Sequence, residues 1–209
     1  MDYGELKEKY GEGSSIESKV PVKPIVIVLA IAAVAVAAYY LWTSSPSLLN
    51  LNPDFNCPKS DWFVNLTNMG WRSNGYCMQS IRNRTGVALI HPVDERVPRY
   101  VEQEVDLRSA KKMATLDISL GNMAIVDSNS TNQCYDSLFV IKVTDIQTGK
   151  VDEIGQQVVN RNDGWVTYSY DLSPYIGKLI TLRIENYAGG PCGIWNGEWG
   201  AVDYARVYA

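Results

Sequence analysis

The sequence predicts an all-β fold, a β-sandwich of the jelly-roll type, carried behind one N-terminal transmembrane α-helix. Three observations lead there. Apolar and polar residues alternate with period two through most of the chain after residue 99. Many short runs of this kind are separated by Gly, Asn and Asp turns at spacings that suit a sandwich. A single uncharged apolar run lies near the N-terminus. The expected organisation is a cytoplasmic tail over 1–23, a transmembrane helix over 24–43, a stalk over 44–57 and a β-sandwich domain over 58–209.

The apolar run extends from Pro24 to Trp42 and contains no charged side chain. At 1.5 Å per residue it is about 28 Å long, close to the hydrocarbon thickness of a bilayer. Tyr39, Tyr40 and Trp42 close it, as suits an interfacial belt. Lys7, Lys9, Lys19 and Lys23 precede it, and no Lys or Arg follows until Lys59. The positive-inside rule then predicts a single-pass protein of the cell membrane, with a cytoplasmic N-terminus and an extracytoplasmic C-terminal domain. The rival is a signal peptide cut after Ala35-Val36-Ala37. The long acidic leader and the apolar run beyond that site argue against it.

Composition narrows the function classes. The 209 residues carry a formal net charge of −4, 6 Trp and 13 Tyr. Such aromatic content is that of a packed domain and not of a disordered chain. The acidic balance gives no reason to bind nucleic acid. His91 is the only histidine, and no G-x-S-x-G, H-E-x-x-H or phosphate-loop signature is present. Glu102, Glu104 and Asp106 are the available carboxylates for glycoside hydrolysis, but they alternate outward on a strand as solvated charges do. The chain therefore reads as a non-enzyme, with no catalytic residue.

The β-strands follow in order. Val101, Gln103, Val105 and Leu107 alternate with Glu102, Glu104, Asp106 and Arg108. Leu116, Ile118 and Leu120 alternate with Asp117 and Ser119. A β-branched run from Leu138 to Ile146 turns at Thr148-Gly149, and Val151 to Asn160 returns as its hairpin partner. Trp165 to Leu172, Leu179 to Glu185 and Ala201 to Tyr208 complete the set, with a further strand over Val87 to Ile90. All four cysteines, Cys57, Cys77, Cys134 and Cys192, follow the apolar run and read as two disulfides, with three pairings open. Asn65, Asn83 and Asn129 each begin a glycosylation sequon.

The last third carries a resemblance. Trp165-Val-Thr-Tyr-Ser-Tyr-Asp171-Leu-Ser-Pro-Tyr175-Ile-Gly177-Lys178 runs into Leu179-Ile-Thr-Leu-Arg-Ile-Glu185, and Gly197-Glu-Trp199-Gly-Ala-Val-Asp203-Tyr-Ala-Arg-Val207 closes the chain. This resembles the galactose-binding-like jelly rolls, which include many carbohydrate-binding modules. The resemblance implies a glycan or cell-surface polymer as ligand. It also implies a structural calcium held through Asp203 and Asp54, although Asn56 stands in a stretch where the family often has glutamate. It brings the loop of Cys192 near Cys134, and so favours Cys57–Cys77 and Cys134–Cys192.

Flat aromatic faces and hydrogen-bonding side chains are what a sugar site needs. The candidate ligand-binding residues are Trp195, Asn196 and Glu198 in the Gly189–Trp199 loop, with Trp71 and Arg72. Trp165 and Trp199 match the family's core positions and read as packing. Trp62 has no assigned place. The alternative function is a structural or assembly subunit of a cell envelope or membrane complex. Ala30, Ala33 and Ala37 offer such a subunit a small-residue face for protein partners in the membrane.

Overall fold

The computed structural model describes residues 27, 30–37, 47–57, 64–66, 70–90, 92, 97–123, 136–188 and 199–209. The chain divides into two units, Met1–Ser45 and Pro46–Ala209.

In the first unit, residue 27 and residues 30–37 are helical and their described side chains are exposed, Ile31 and Val34 among them. No helix among the described residues is long and apolar enough to cross a membrane. This corrects the expected single-pass location in a cell membrane. The expectation took the apolar run as one continuous helix about 19 residues long; of that run, residue 27 and residues 30–37 are described, and they are helical. The rest of 24–43, and all of 1–23, lies outside the described residues.

The second unit is a sandwich of two antiparallel sheets. Its strands are β1 (Val64–Asn65), β2 (Arg72–Ser73), β3 (Tyr76–Ile81), β4 (Arg84–Leu89), β5 (Arg99–Asp106), β6 (Thr115–Asn122), β7 (Ser137–Asp145), β8 (Val151–Val159), β9 (Trp165–Asp171), β10 (Leu179–Tyr187) and β11 (Gly200–Tyr208). The six-stranded sheet has the order β1-β3-β4-β11-β6-β9, and the five-stranded sheet β2-β5-β10-β7-β8. From β4 onward the chain changes sheet at every connection except the β7–β8 hairpin.

Alternation decides which side chains meet between the sheets. On β5, Val101 and Val105 point inward, and on β10 so do Ile180, Leu182 and Ile184. They meet Leu116, Ile118 and Leu120 of β6 and Val207 of β11 in one core. Gly177 turns into β10 with φ 85°, a conformation that costs glycine little. Tyr175, in the 3₁₀ turn Ser173–Tyr175, is pushed up to about 12 by burial and by its hydrogen bond to Asp152.

Residues 47–57 are part of the sandwich and not the free stalk expected of them. Leu48 bridges to Tyr208, and Leu49 N–H donates to Val207 O at 2.8 Å. Asn50 accepts from Val207 N–H at 2.8 Å and donates to Ala205 O at 2.7 Å. The buried Gln103 sits on the core face of β5, where its amide donates to Leu51 O at 3.0 Å and Gly70 O at 2.6 Å. A buried amide left unpaired would cost about 1–3 kcal/mol, so this segment also satisfies the sheet. Phe55 then enters the core, tilted against the Trp71 ring with centroids 4.9 Å apart. The Cys57–Cys77 disulfide forms as expected and ties this arm to β3 across a separation of 20 residues, with Cα atoms 5.9 Å apart. Loop closure of that size stabilises by about 3 kcal/mol. Cys134 and Cys192 lie outside the described residues.

A second, smaller apolar cluster lies on the outside of the six-stranded sheet. Met78, Val87, Leu89, Met123 and Ala201 form it, with Ile81, Trp165 and Trp199 packed against them. A Cβ on Gly121 would stand 2.7 Å from the Trp165 ring. The indole therefore rests on bare backbone of its register partner. Trp165 and Trp199 pack on this outer cluster and not at the core positions that the family resemblance implied.

Candidate functional site

Of the expected ligand residues, the described ones are Trp71 and Arg72. Trp195, Asn196 and Glu198 lie outside the described residues. Trp71 is fully buried, and its indole N–H donates to Asn52 O at 3.1 Å. It belongs to the core and offers no face to a ligand. Its large apolar ring explains both the misreading and the burial: the ring serves a sugar platform or a core equally well.

Arg72 does reach a surface of interest, the outer face of the five-stranded sheet. Register places Arg72, Glu102, Arg183, Lys142 and Glu153 in one row across β2, β5, β10, β7 and β8. A neighbouring row holds Tyr100, Glu185, Val140 and Gln156. Each of these alternates outward from the core positions of its strand.

The charges form one contact chain. Arg72 lies 3.6 Å from Glu104 and 3.2 Å from Glu102. Arg183 lies 3.2 Å from Glu102 and 2.7 Å from Glu185. Lys142 Nζ donates to Glu185 Oε2 at 2.6 Å and to Tyr187 Oη at 3.2 Å, and Tyr187 O–H donates to the same carboxylate at 2.7 Å. Arg183 also stacks on the Tyr100 ring at 3.7 Å, and Lys142 lies 5.7 Å from the Tyr187 centroid.

The two inner carboxylates are not ordinary solvated charges. The Glu185 side chain is 6% exposed and that of Glu102 14%. Burial pushes the Glu185 carboxyl up, but Lys142, Tyr187 and Arg183 outweigh it and hold it below the usual glutamate range. Burial likewise pulls the Lys142 ammonium down, and its contacts with Glu185 and Tyr187 outweigh that to leave it raised. Mutual contact thus favours the charged forms of Glu185 and Lys142.

The proposed calcium residues stand elsewhere. Asp203 occupies the β-bulge where β11 shifts register between Val202 and Tyr204. Arg84 Nε lies 3.5 Å from it, and Arg206 Nε donates to Asp54 at 2.7 Å. Calcium takes six to eight oxygen ligands. Here two carboxylates are each answered by a guanidinium, and no group of three acidic, histidine or cysteine side chains suited to a metal occurs among the described residues. Among the described residues, Asp54 and Asp203 thus supply ion pairs to arginines and no third acid joins them.

Of the sequon asparagines, Asn83 sits in the exposed β3–β4 turn, where both Arg82 and Asn83 have positive φ. Asn65 lies on β1. Asn129, with Trp62 and His91, lies outside the described residues.

No protein-family model matches the chain, and no curated protein matches it in sequence. Solved structures similar to it include a mutant of the carbohydrate-binding module CBM29-2 complexed with cellulohexaose, at 15% identity and a TM-score of 0.43 over 79% of this chain and 92% of that one. A CBM29-2 mutant complexed with mannohexaose matches at 14% identity and 0.42, over 78% and 90%. A family 29 carbohydrate-binding module matches at 14% and 0.44, over 78% and 87%.

Proposed function

We propose that the sandwich is a non-catalytic module that binds glycan chains on the outer face of its five-stranded sheet. One observation carries the reading. Glu102 and Glu185 are largely buried and held from both sides by Arg72, Arg183 and Lys142. Such a row presents fixed acceptors and donors side by side, which is what hydroxyl groups on adjacent carbons require. Because the pairs already hold each other in place, little side-chain entropy is lost when a ligand arrives.

The test is calorimetric titration of the full chain with a panel of neutral oligosaccharides. Arg183→Met and Glu185→Gln should each weaken binding at least about tenfold, equivalent to 1.4 kcal/mol. Tyr204→Ala, on the outer face of the other sheet, should leave it unchanged. Binding that survives both first substitutions would refute this face as the site.

A further inference from the structure

We infer that this face selects uncharged glycan chains and excludes both acidic and amino sugars. The inference rests on the glycan-binding reading of the same face. Along the contact chain the order is Glu104, Arg72, Glu102, Arg183, Glu185, Lys142, alternating at every step with three carboxylates and three cations. No member of this chain lacks its counterion. A uronate or sulfate approaching Arg183 meets Glu102 on one side and Glu185 on the other. An ammonium approaching Glu185 meets Arg183 and Lys142. Either charged ligand thus meets a like charge on both sides of the group it would pair with, and the low exposure of Glu102 and Glu185 leaves that repulsion poorly screened.

A hydroxyl group meets no such penalty. A carboxylate offers about four acceptor sites and a guanidinium five N–H donors, more than the pairs consume. A sugar hydroxyl donates to one and accepts from its neighbour with both ion pairs intact. The row also sets the ligand's course. Arg72, Glu102, Arg183, Lys142 and Glu153 lie on five adjacent strands, a span of about 19 Å at the usual strand spacing. An extended chain laid across the strands therefore reaches the paired members from Arg72 to Lys142, and the exposed Glu153 lies beyond them. Polar contact dominates, because the Tyr100 ring already carries the Arg183 guanidinium.

Three hexasaccharide classes, titrated into the full chain by calorimetry, test this: neutral hexaoses of glucose, mannose, galactose and xylose; hexagalacturonate; and the glucosamine hexamer. At least one neutral hexaose should bind about tenfold tighter than either charged probe, with an affinity that salt barely changes. Glu102→Gln removes one negative charge and should shift relative affinity toward hexagalacturonate several-fold. A charged probe that binds as tightly as the best neutral one overturns the inference and leaves the glycan reading standing. A Glu102→Gln chain with unchanged selectivity does the same. If no probe of any class binds, the glycan reading fails and this inference with it.

Discussion

The two sheets present similar apolar faces to the shared core and opposite chemistries to the outside. At one end of the six-stranded sheet the outer face is dry: Val87, Leu89 and Ala201 are fully buried there beside Trp165 and Trp199. The outer face of the five-stranded sheet carries six charges in contact. Burying charge costs several kcal/mol per ion before pairing returns any of it, and apolar replacements of paired ions are often neutral or stabilising. The first face shows that this chain readily builds an apolar exterior cluster. The charged row is thus poorly explained by stability, and a ligand that uses its donors and acceptors explains it better.

The contrast breaks if the dry cluster turns out to matter for binding. Leu89→Ala removes a fully buried side chain from it and should cost about 2–4 kcal/mol in denaturant unfolding. Glycan affinity of the folded fraction should stay within twofold of the native value. Gly121→Ala sharpens the same point from the opposite direction. Its Cβ would meet the Trp165 ring at 2.7 Å and Met123 Cε at 2.6 Å, an overpacking worth about 1–3 kcal/mol. The indole would have to lift, so a change in tryptophan fluorescence should accompany the loss of stability.

Much of the fold was legible in the sequence because strand alternation is a local signal. The runs over β5, β6 and β9 announce themselves by period two, β7 by its β-branched residues, and the β7–β8 hairpin by Thr148-Gly149. β3 was not seen, because Tyr76–Ile81 buries Cys77 and Met78 consecutively, one on each face of its sheet. The site was legible only in fragments. Glu102 and Glu104 were recognised as outward charges, and Arg72 as a polar candidate. What joins them to Arg183, Glu185 and Lys142 is register between strands about 30 to 80 residues apart, and pairing at that distance leaves no mark on local periodicity. Trp71 misled for the related reason that an aromatic ring gives no sign of which side it faces.

Glu185 offers the next test. Its carboxyl is held below the ordinary 4.5, so its contribution is complete above that pH and is lost as acid carries the folded protein through the depressed value. Glu185→Gln should therefore lower the melting temperature at pH 7, by the equivalent of about 1–3 kcal/mol for a hydrogen-bonded charge. The gap between variant and native protein should narrow steadily below pH 4.5. A gap that stays constant into acid would mean that the ionised form contributes nothing.

The smallest effect is expected at Asp203, the buried acid on the opposite outer face. Burial pushes it above the ordinary 3.8, and the attraction of Arg84 and Arg206 does not reverse this. The geometry explains the contrast with Glu185. Arg84 stands 3.5 Å away and is itself half exposed, whereas Glu185 has Lys142, Tyr187 and Arg183 all within 2.7 Å. A raised acid favours the folded state while protonated, and that advantage disappears as pH rises through its folded value. Asp203→Asn keeps the shape without the charge, so it should raise the melting temperature slightly at pH 7 and converge with the native protein below pH 3.8. Thermal unfolding at both pH values checks the sign. A large loss at pH 7 would place a required anion at the bulge, and the six-stranded face would then need a functional account of its own.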